Sequence, residues 1–325
     1  PRGTVLFDTA ENFKVLVEGN SEGRMTITHY PGTLLGDYSI QQESVAAGTL
    51  DMCWTFPVST LNPAWDLRGI GYITYNERGA EEMFKPGGWA EPLWDQIAEK
   101  ANWKQLGVLL TAGCHIISNE MYDPLDPGGL KLRVQATKSF IPKYQALGFN
   151  PITMPMSEAA SALRVGTIDA VAGAGNSEFR IYGDAFEVVT AYHDRFAGAH
   201  FIINLDLWKS LSEDDRAILH EAASQTIGHA FSNYKNDVAK DWNDLLEWQK
   251  VVTLDGDTWA KCAEKVREAE WNTAEEWIGK DTMDIVRAHA DPLPWGKTLD
   301  EMEYAYGLIN TDWLIARQGE VITGP

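Results

Sequence analysis

The two halves of the chain carry the same order of predicted elements, and this repeat restricts the fold more than any other pattern in the sequence. A helical segment ends at GTLD (residues 48–51) before a buried strand, and another ends at GTID (residues 166–169) in the second half. A strand that stops at a proline precedes each helix, at residues 25–31 and 151–155. This shared order, rather than the four letters, predicts two similar α/β lobes.

The length of the chain supports the same division. At 325 residues it exceeds the roughly 250–300 residues at which a single hydrophobic core usually stops growing. Helices and strands alternate at the spacing of βαβ units, which predicts a mainly parallel sheet. From Ser212 to Leu245, apolar residues recur every three or four positions. This period predicts one helix of more than about 30 residues, long enough to cross from one lobe to the other.

Shorter patterns predict individual elements. Near the amino terminus, apolar spacing predicts a helix that ends at Gly19, and alternation predicts a strand over residues 25–30. A helix is expected from Tyr38 to Ala47, because Gly48 follows as a C-cap, and a strand over residues 50–54. Alternation also predicts a strand at 130–134, and apolar spacing predicts an amphipathic helix at 298–313.

The charge balance limits the partners of this chain. Lys and Arg number 27 against 47 Asp and Glu, which gives a formal charge of −20. A field of this sign repels phosphate backbones and anionic membrane surfaces, so nucleic acid is not an expected partner. An anionic small molecule is compatible with this charge, since one buried cation in a groove acts at short range.

The motifs of common enzymes are incomplete in this sequence. There is no P-loop, and the Gly-rich stretch at 173–175 lacks the third glycine of a dinucleotide fingerprint. The GNSEG stretch at 19–23 has a helix before it and a strand after it, the reverse of a nucleophile elbow. The three cysteines are far apart and the seven histidines form no zinc-binding pair. We therefore predict no catalytic residue, no cofactor and no metal.

A two-lobed α/β body without catalytic motifs points to ligand binding beyond the carboxyl ends of the strands. Among the predicted strand ends, Arg133 has two interpretations. Its guanidinium could bind an anion, or it could form an ion pair on a solvated edge beside Lys131. The aromatic residues Trp54 and Phe56 end a strand of the first lobe and are candidate apolar walls of a site.

Several short motifs occur together in a specific order. They are GLKLRV at 129–134, ALG at 146–148, Pro151, MP at 154–155, SE at 157–158, AL at 162–163 and GTIDA at 166–170, with GTLD at 48–51 in the first half. In this order the chain resembles the substrate-binding proteins of tripartite ATP-independent periplasmic (TRAP) transporters, the DctP-like family. The likeness extends over about residues 12–277.

The resemblance implies a two-lobed, hinge-connected periplasmic-binding-protein-like fold with a long lobe-spanning helix. We expect residues 1–111 and 200–250 to form the first α/β lobe, and 112–199 and 251–325 the second, with a C-terminal helical extension. The family further implies a periplasmic protein that captures a small organic acid between its lobes and delivers it to membrane permease subunits. The chain is expected to be a monomer, or a homodimer through the C-terminal helices.

The resemblance also assigns site residues. Arg133 occupies the place of the family arginine that binds the ligand carboxylate, and Met156 joins Trp54 and Phe56 as an apolar wall. Sialic-acid-binding relatives resemble one another in having a second arginine on the strand where this chain has Cys114 and His115, so a two-arginine clamp is not expected here and His115 and His200 are the nearest alternative donors. Asn176 is the candidate for the asparagine that relatives place after the second-lobe strand. One principal anionic group on the ligand is expected. The competing interpretation is an enzyme on the same scaffold, with His115 or His200 as base.

Overall fold

The computed structural model describes residues 5–32, 34–59, 61–175, 179–246 and 249–303. The helices are α1 Val5–Asn20, α2 Tyr38–Ala47, α3 Glu77–Phe84, α4 Glu91–Lys100, α5 Phe140–Ala146, α6 Met156–Arg164, α7 Phe179–Tyr182, α8 Leu205–Ser210, α9 Glu213–Leu246, α10 Gly256–Val266, α11 Asn272–Ile278 and α12 Lys280–His289. The strands are β1 Met52–Thr55, β2 Trp103–Gly113, β3 His115–Ser118, β4 Lys131–Val134, β5 Asn150–Thr153, β6 Ala170–Ala174, β7 Val188–Ala191, β8 Phe196–Asn204 and β9 Lys250–Thr253. Short 3₁₀ helices cover Pro63–Gly69 and Gly183–Ala185, and a π-helical turn covers Arg267–Trp271.

The chain divides into two compact units. Unit 1 comprises Pro1–Trp65, Glu81–Thr111 and Gly198–Tyr234, and unit 2 comprises Asp66–Ala80, Ala112–Ala197 and Lys235–Pro325. Residues 66–80 and 235–250, which the sequence analysis placed in the first lobe, group with unit 2. Backbone contacts account for the first of these segments, since the Tyr72 N–H donates to the Asp194 carbonyl at 2.6 Å.

The helix, the Gly-Thr turn and the strand after it recur in both units, but residues 25–30 do not form the strand that the repeat predicts before the first helix. The helices α2 and α6 each end at a glycine in the left-handed region, Gly48 at φ +74° and Gly166 at φ +71°. In each copy the glycine N–H donates to the carbonyl three residues earlier, and the following threonine N–H donates to the carbonyl five residues earlier. A residue with a Cβ is disfavoured in this backbone conformation, which explains the glycine of each motif.

Unit 1 contains a three-stranded sheet in the order β1-β8-β2, with β1 antiparallel to β8 and Met52 opposite Ile203. Aromatic packing against α1 fills its core, where Phe13 meets Phe201 edge-on with centroids 4.7 Å apart. The predicted strand at 25–30 is wrong. Its backbone instead bonds to side chains of α1, since the Ile27 N–H donates to Glu18 Oε1 at 3.0 Å.

Unit 2 contains a six-stranded sheet in the order β5-β4-β6-β3-β7-β9. The strand β4 runs parallel to β5 and β6, and β7 runs parallel to β9, but β3 is antiparallel to both β6 and β7. The prediction of a mainly parallel sheet is confirmed for unit 2, where five of the six strands run in the same direction and β3 runs opposite to them. Helices α5 and α6 provide the crossovers that parallel neighbours need, whereas residues 119–130 connect β3 to β4 without a helix.

The long helix is confirmed as α9, which has 34 residues. Ser212 caps it as expected, because its Oγ accepts from the Asp215 N–H at 3.1 Å. The predicted helix at 298–313 lies mostly outside the described residues, and its described part, 298–303, forms turns. Within the described ranges, no helix is both long enough and apolar enough to cross a membrane.

Candidate ligand-binding site

One edge of the unit 2 sheet collects Arg133, Met156 and His115, the predicted site residues of that unit whose positions are described. The carboxyl ends of the parallel strands β5, β4 and β6 meet at this edge. Because β3 runs the other way, its first residue, His115, lies at the same edge, opposite Ala174 of β6. Side chains from several segments therefore converge here, as is usual for binding sites of α/β sheets.

Arg133 is buried at this edge, with 5% of its surface exposed. In register it lies between Ile152 of β5 and Val171 of β6. Its Nε donates to the Met154 carbonyl at 2.8 Å, so the side chain leans past the end of β5. Arg133 is not on a solvated surface, so the alternative of a surface ion pair does not describe its position. Burial of a guanidinium is costly unless charged or polar groups face it, and the Met154 carbonyl is one such group.

Met156 is next to Arg133. It begins α6, and its Sδ lies 3.4 Å from Arg133 Nη1 and accepts from the Tyr182 hydroxyl at 2.9 Å. Tyr182 is itself buried. The structure thus brings together two of the predicted site residues, a cation and a polarizable apolar group.

His115 is fully buried among rings. Its imidazole centroid lies 4.6 Å from that of His193, 4.9 Å from that of Trp242 and 6.1 Å from that of Phe179. Burial lowers the pKa of His193 to about 3, so this second imidazole is neutral at physiological pH. The Nε2 atom of His193 lies 3.5 Å from Glu77 Oε1.

The remaining predicted residues with described positions belong to unit 1. Trp54 stacks on Phe201 with centroids 4.3 Å apart, and Phe56 meets Tyr38 edge-on at 5.5 Å. His200 is fully buried, where its Nδ1 lies 2.7 Å from Gln105 Oε1. Asn176 lies outside the described residues. The ligand roles of all seven predicted site residues stay predictions.

The sequence analysis missed a second buried arginine at the unit 2 edge. Arg195 is 7% exposed, and its guanidinium carbon lies 4.9 Å from the Phe140 ring centroid. Its Nη2 lies 2.9 Å from where a Cβ would stand on Gly173, which has φ +80° and interrupts the register between β3 and β6. Arg195 follows β7 by four residues and belongs to no motif, so no local signal in the sequence identifies it.

A separate buried ion cluster lies deeper in unit 2. Lys143 Nζ donates to the Gly69 carbonyl at 2.5 Å and lies 3.4 Å from Asp194 Oδ2 and 3.6 Å from Glu270 Oε1. The Tyr144 hydroxyl also donates to Asp194 Oδ2, at 2.9 Å. Burial raises the pKa of Glu270 to about 7, against the neighbouring ammonium, which lowers it.

No metal centre is evident where the structure can be described. Over residues 5–303 with the short gaps given above, no three His, Cys, Asp or Glu side chains converge well enough to hold an ion. The three cysteines are free thiols, and burial raises the pKa of Cys53 and of Cys262 to about 12. Burial keeps these two thiols protonated at neutral pH, so neither is a ready nucleophile.

This fold is that of solute-binding proteins. Residues 1–275 match the family described as bacterial extracellular solute-binding protein, family 7 (DctP), and the chain belongs to that family. The predicted family is confirmed, and membership in a solute-binding family favours binding over the enzyme alternative.

Relatives of known role agree with this assignment. The chain is 26% identical over 211 residues to a solute-binding protein of Roseobacter denitrificans, an alignment that covers 63% of each chain. It is 25% identical over 240 residues to the sialic acid-binding periplasmic protein SiaP of Vibrio cholerae, covering 70% of this chain and 72% of SiaP.

The fold also matches solved structures. A TRAP periplasmic solute-binding protein of Ralstonia eutropha, with bound (S)-2-acetolactate, superposes with a TM-score of 0.80 at 21% identity. The match covers 89% of this chain and 95% of that protein. At this identity the likeness concerns the fold, and it confirms the predicted fold class.

Proposed function

We propose that this chain is the solute-binding protein of a TRAP transporter, that it captures a small organic acid, and that Arg133 binds the carboxylate of this ligand. The observation that carries the proposal is the burial of the Arg133 guanidinium at the carboxyl-end edge of the unit 2 sheet. A planar guanidinium offers parallel N–H donors that match the two oxygens of a carboxylate.

The relatives support the chemical class. The SiaP protein is named for sialic acid, and the Ralstonia structure holds acetolactate. Both ligands carry a carboxylate. The proposal includes a periplasmic location and delivery of the solute to membrane permease subunits, as the TRAP resemblance implies.

The contacts of Arg133 suit this role. The Met154 carbonyl holds Nε and Met156 Sδ lies against Nη1, so the side chain is fixed before a ligand arrives. A donor that is already oriented loses little conformational entropy when it binds. The apolar flank provided by Met156 also lowers the local dielectric, which strengthens an ion pair with a ligand.

Native mass spectrometry of the purified protein, followed by calorimetry with a panel of organic acids, tests the proposal. We expect a complex with one acid per chain and recovery of that acid unchanged. Arg133→Gln should abolish binding of every panel member, while Lys131→Gln, its half-exposed neighbour on β4, should not. Undiminished affinity in Arg133→Gln, or chemical turnover of the acid, would contradict the proposal.

A further inference from the structure

Two hydrogen-bond donors converge on the sulfur of Met156. Arg133 Nη1 lies 3.4 Å from Sδ, and the Tyr182 hydroxyl donates to the same atom at 2.9 Å. A thioether sulfur is only a weak acceptor. A stronger acceptor attached at this position would be bonded from both sides, by a charged donor and by a neutral one.

Met156 is also within reach of small oxidants. It is half-buried at the start of α6, whereas Met83, Met283 and Met302 are buried. Exposure governs how readily a sulfur atom is oxidised, so Met156 is among the susceptible methionines of the chain.

Hydrogen peroxide converts a methionine side chain into its sulfoxide. A lone pair of Sδ forms the S–O bond, the O–O bond of the peroxide breaks, and the second oxygen leaves as water with both protons. The sulfur is thereby oxidised and the peroxide reduced. A polar oxygen in a partly buried place is costly unless it is hydrogen-bonded, and at Met156 two donors already face the sulfur.

A sulfoxide at this position would change what Arg133 offers to a solute. Its Nε already donates to the Met154 carbonyl, so a carboxylate depends on Nη1 and Nη2 for two parallel bonds. The sulfinyl oxygen competes with the carboxylate for Nη1, and its negative partial charge repels the carboxylate oxygens. It also replaces the apolar flank that keeps the local dielectric low. Each of these effects weakens the binding of a carboxylate.

We propose that Met156 is an oxidation site and that its sulfoxide switches off solute binding by Arg133. This inference rests on the proposed function, in which Arg133 binds the carboxylate of the solute. Met156, expected from the sequence as an apolar wall, is then also the redox-sensitive part of that wall. Reduction of the sulfoxide restores the thioether and, with it, binding.

Oxidation of the purified protein with hydrogen peroxide tests the inference. Tandem mass spectrometry of the tryptic peptide 144–164 measures the sulfoxide at Met156 separately from that at Met154. Calorimetry with acetolactate, succinate, L-galactonate and glucuronate measures affinity before and after treatment. For every acid that the untreated protein binds, complete oxidation of Met156 should lower the affinity at least about tenfold, as expected for the loss of a charge-assisted hydrogen bond. Methionine sulfoxide reductases A and B, which act on the two epimers, should restore the affinity in proportion to the thioether regained.

Two variants locate the effect. Met156→Leu keeps an apolar side chain and removes the sulfur, so the same peroxide treatment should change its own affinity by less than about twofold. Met121→Leu removes a methionine that is 38% exposed, between β3 and β4, and should behave like the unmodified protein before and after treatment. Where Met156→Leu itself binds none of the acids, recovery of affinity with the thioether decides instead. Thermal unfolding of each ligand-free form verifies that it is folded.

Three outcomes would overturn the inference. Met156 could stay a thioether under conditions that oxidise Met121 completely, or its complete oxidation could leave the affinity unchanged. Alternatively, Met156→Leu could lose affinity on treatment as much as the unmodified protein does, which would assign the effect to another residue. All three leave the role of Arg133 intact, because Arg133→Gln tests that role without any oxidant. If no organic acid of any kind binds, the proposed function fails together with the inference.

Discussion

Replacing Lys143 by methionine should destabilise unit 2 strongly. The ammonium is fully buried and faces two buried carboxylates, Asp194 at 3.4 Å and Glu270 at 3.6 Å, in addition to the Gly69 carbonyl. Methionine fills a similar volume but leaves the carboxylates without their counter-charge. Breaking a buried ion pair from one side costs about 3–5 kcal/mol, so we expect a loss of this size in the free energy of unfolding.

Urea unfolding at pH 7.5, monitored by circular dichroism, measures this loss. Lys131→Met is the matched control, because this lysine lies in the same unit, is 44% exposed and is 3.9 Å from Asp169. Its replacement should cost less than about 1 kcal/mol. The double variant Lys143→Met with Glu270→Gln should recover at least about 1 kcal/mol, since one stranded carboxylate is removed. A cost for Lys143→Met no larger than that of Lys131→Met would refute the reasoning.

Three further changes have defined outcomes. Burial raises the pKa of Glu270 from 4.5 to about 7, so the folded state binds this proton more tightly than the unfolded state does. The free energy of unfolding should therefore fall as the pH rises from about 4.5 to 7. Urea unfolding at pH 4.5–8 measures this slope, and Glu270→Gln should remove it. Gly173→Ala should lower stability by about 1–2 kcal/mol in the same assay, because φ is +80° and Arg195 occupies the space; an unchanged midpoint would contradict this. Asn204→Ala should cost at least about 1 kcal/mol in the same assay, because its side chain caps α8 and also donates to the Val45 and Ala46 carbonyls. Asn204→Asp should keep the cap but also lower stability, because a buried carboxylate oxygen would face these two carbonyls.

Helices whose ends are marked by capping residues could be predicted from the sequence. The helix α2 begins after Asp37, whose carboxylate accepts from two backbone N–H groups, and ends at Gly48 in the left-handed region, so both limits match the prediction. The helix α9 likewise has its cap at Ser212. In each case the signals that decide the structure lie within a few residues of the helix end.

Features decided by distant partners were not predictable from local patterns. The stretch at 25–30 alternates like a strand, but its backbone bonds to Glu18 and Lys14 of α1. The direction of β3 depends on its pairing with β6 and β7, and no residue within β3 indicates that pairing. The wrong strand at 25–30 and the unpredicted direction of β3 have the same cause, since a pattern of alternation specifies the faces of a strand and not its neighbours.

The same limit applies to the two buried arginines at the edge of the unit 2 sheet. The short motif around Arg133 identified one cation, because it lies within a strand and is followed by a recognisable order of motifs. Arg195 belongs to no such motif, and its relation to Gly173 exists only after β6 has bulged against β3. A residue that reaches the edge through tertiary pairing leaves no local trace in the sequence.

The distribution of buried charge shows why the total charge of −20 is a poor guide to the ligand. Among the described residues, every Asp, Glu, Lys and Arg that is buried belongs to unit 2, whereas buried tryptophans occur in both units, such as Trp94 in unit 1 and Trp242 in unit 2. Within unit 2 the deep ammonium of Lys143 faces two carboxylates, while guanidiniums lie at the sheet edge. Acidic groups exposed to solvent are screened over about 8–10 Å, but a buried guanidinium acts at contact distance in a lower dielectric. A strongly acidic protein can therefore bind an anion, because the sign of the few charges at the edge outweighs the sum over the surface.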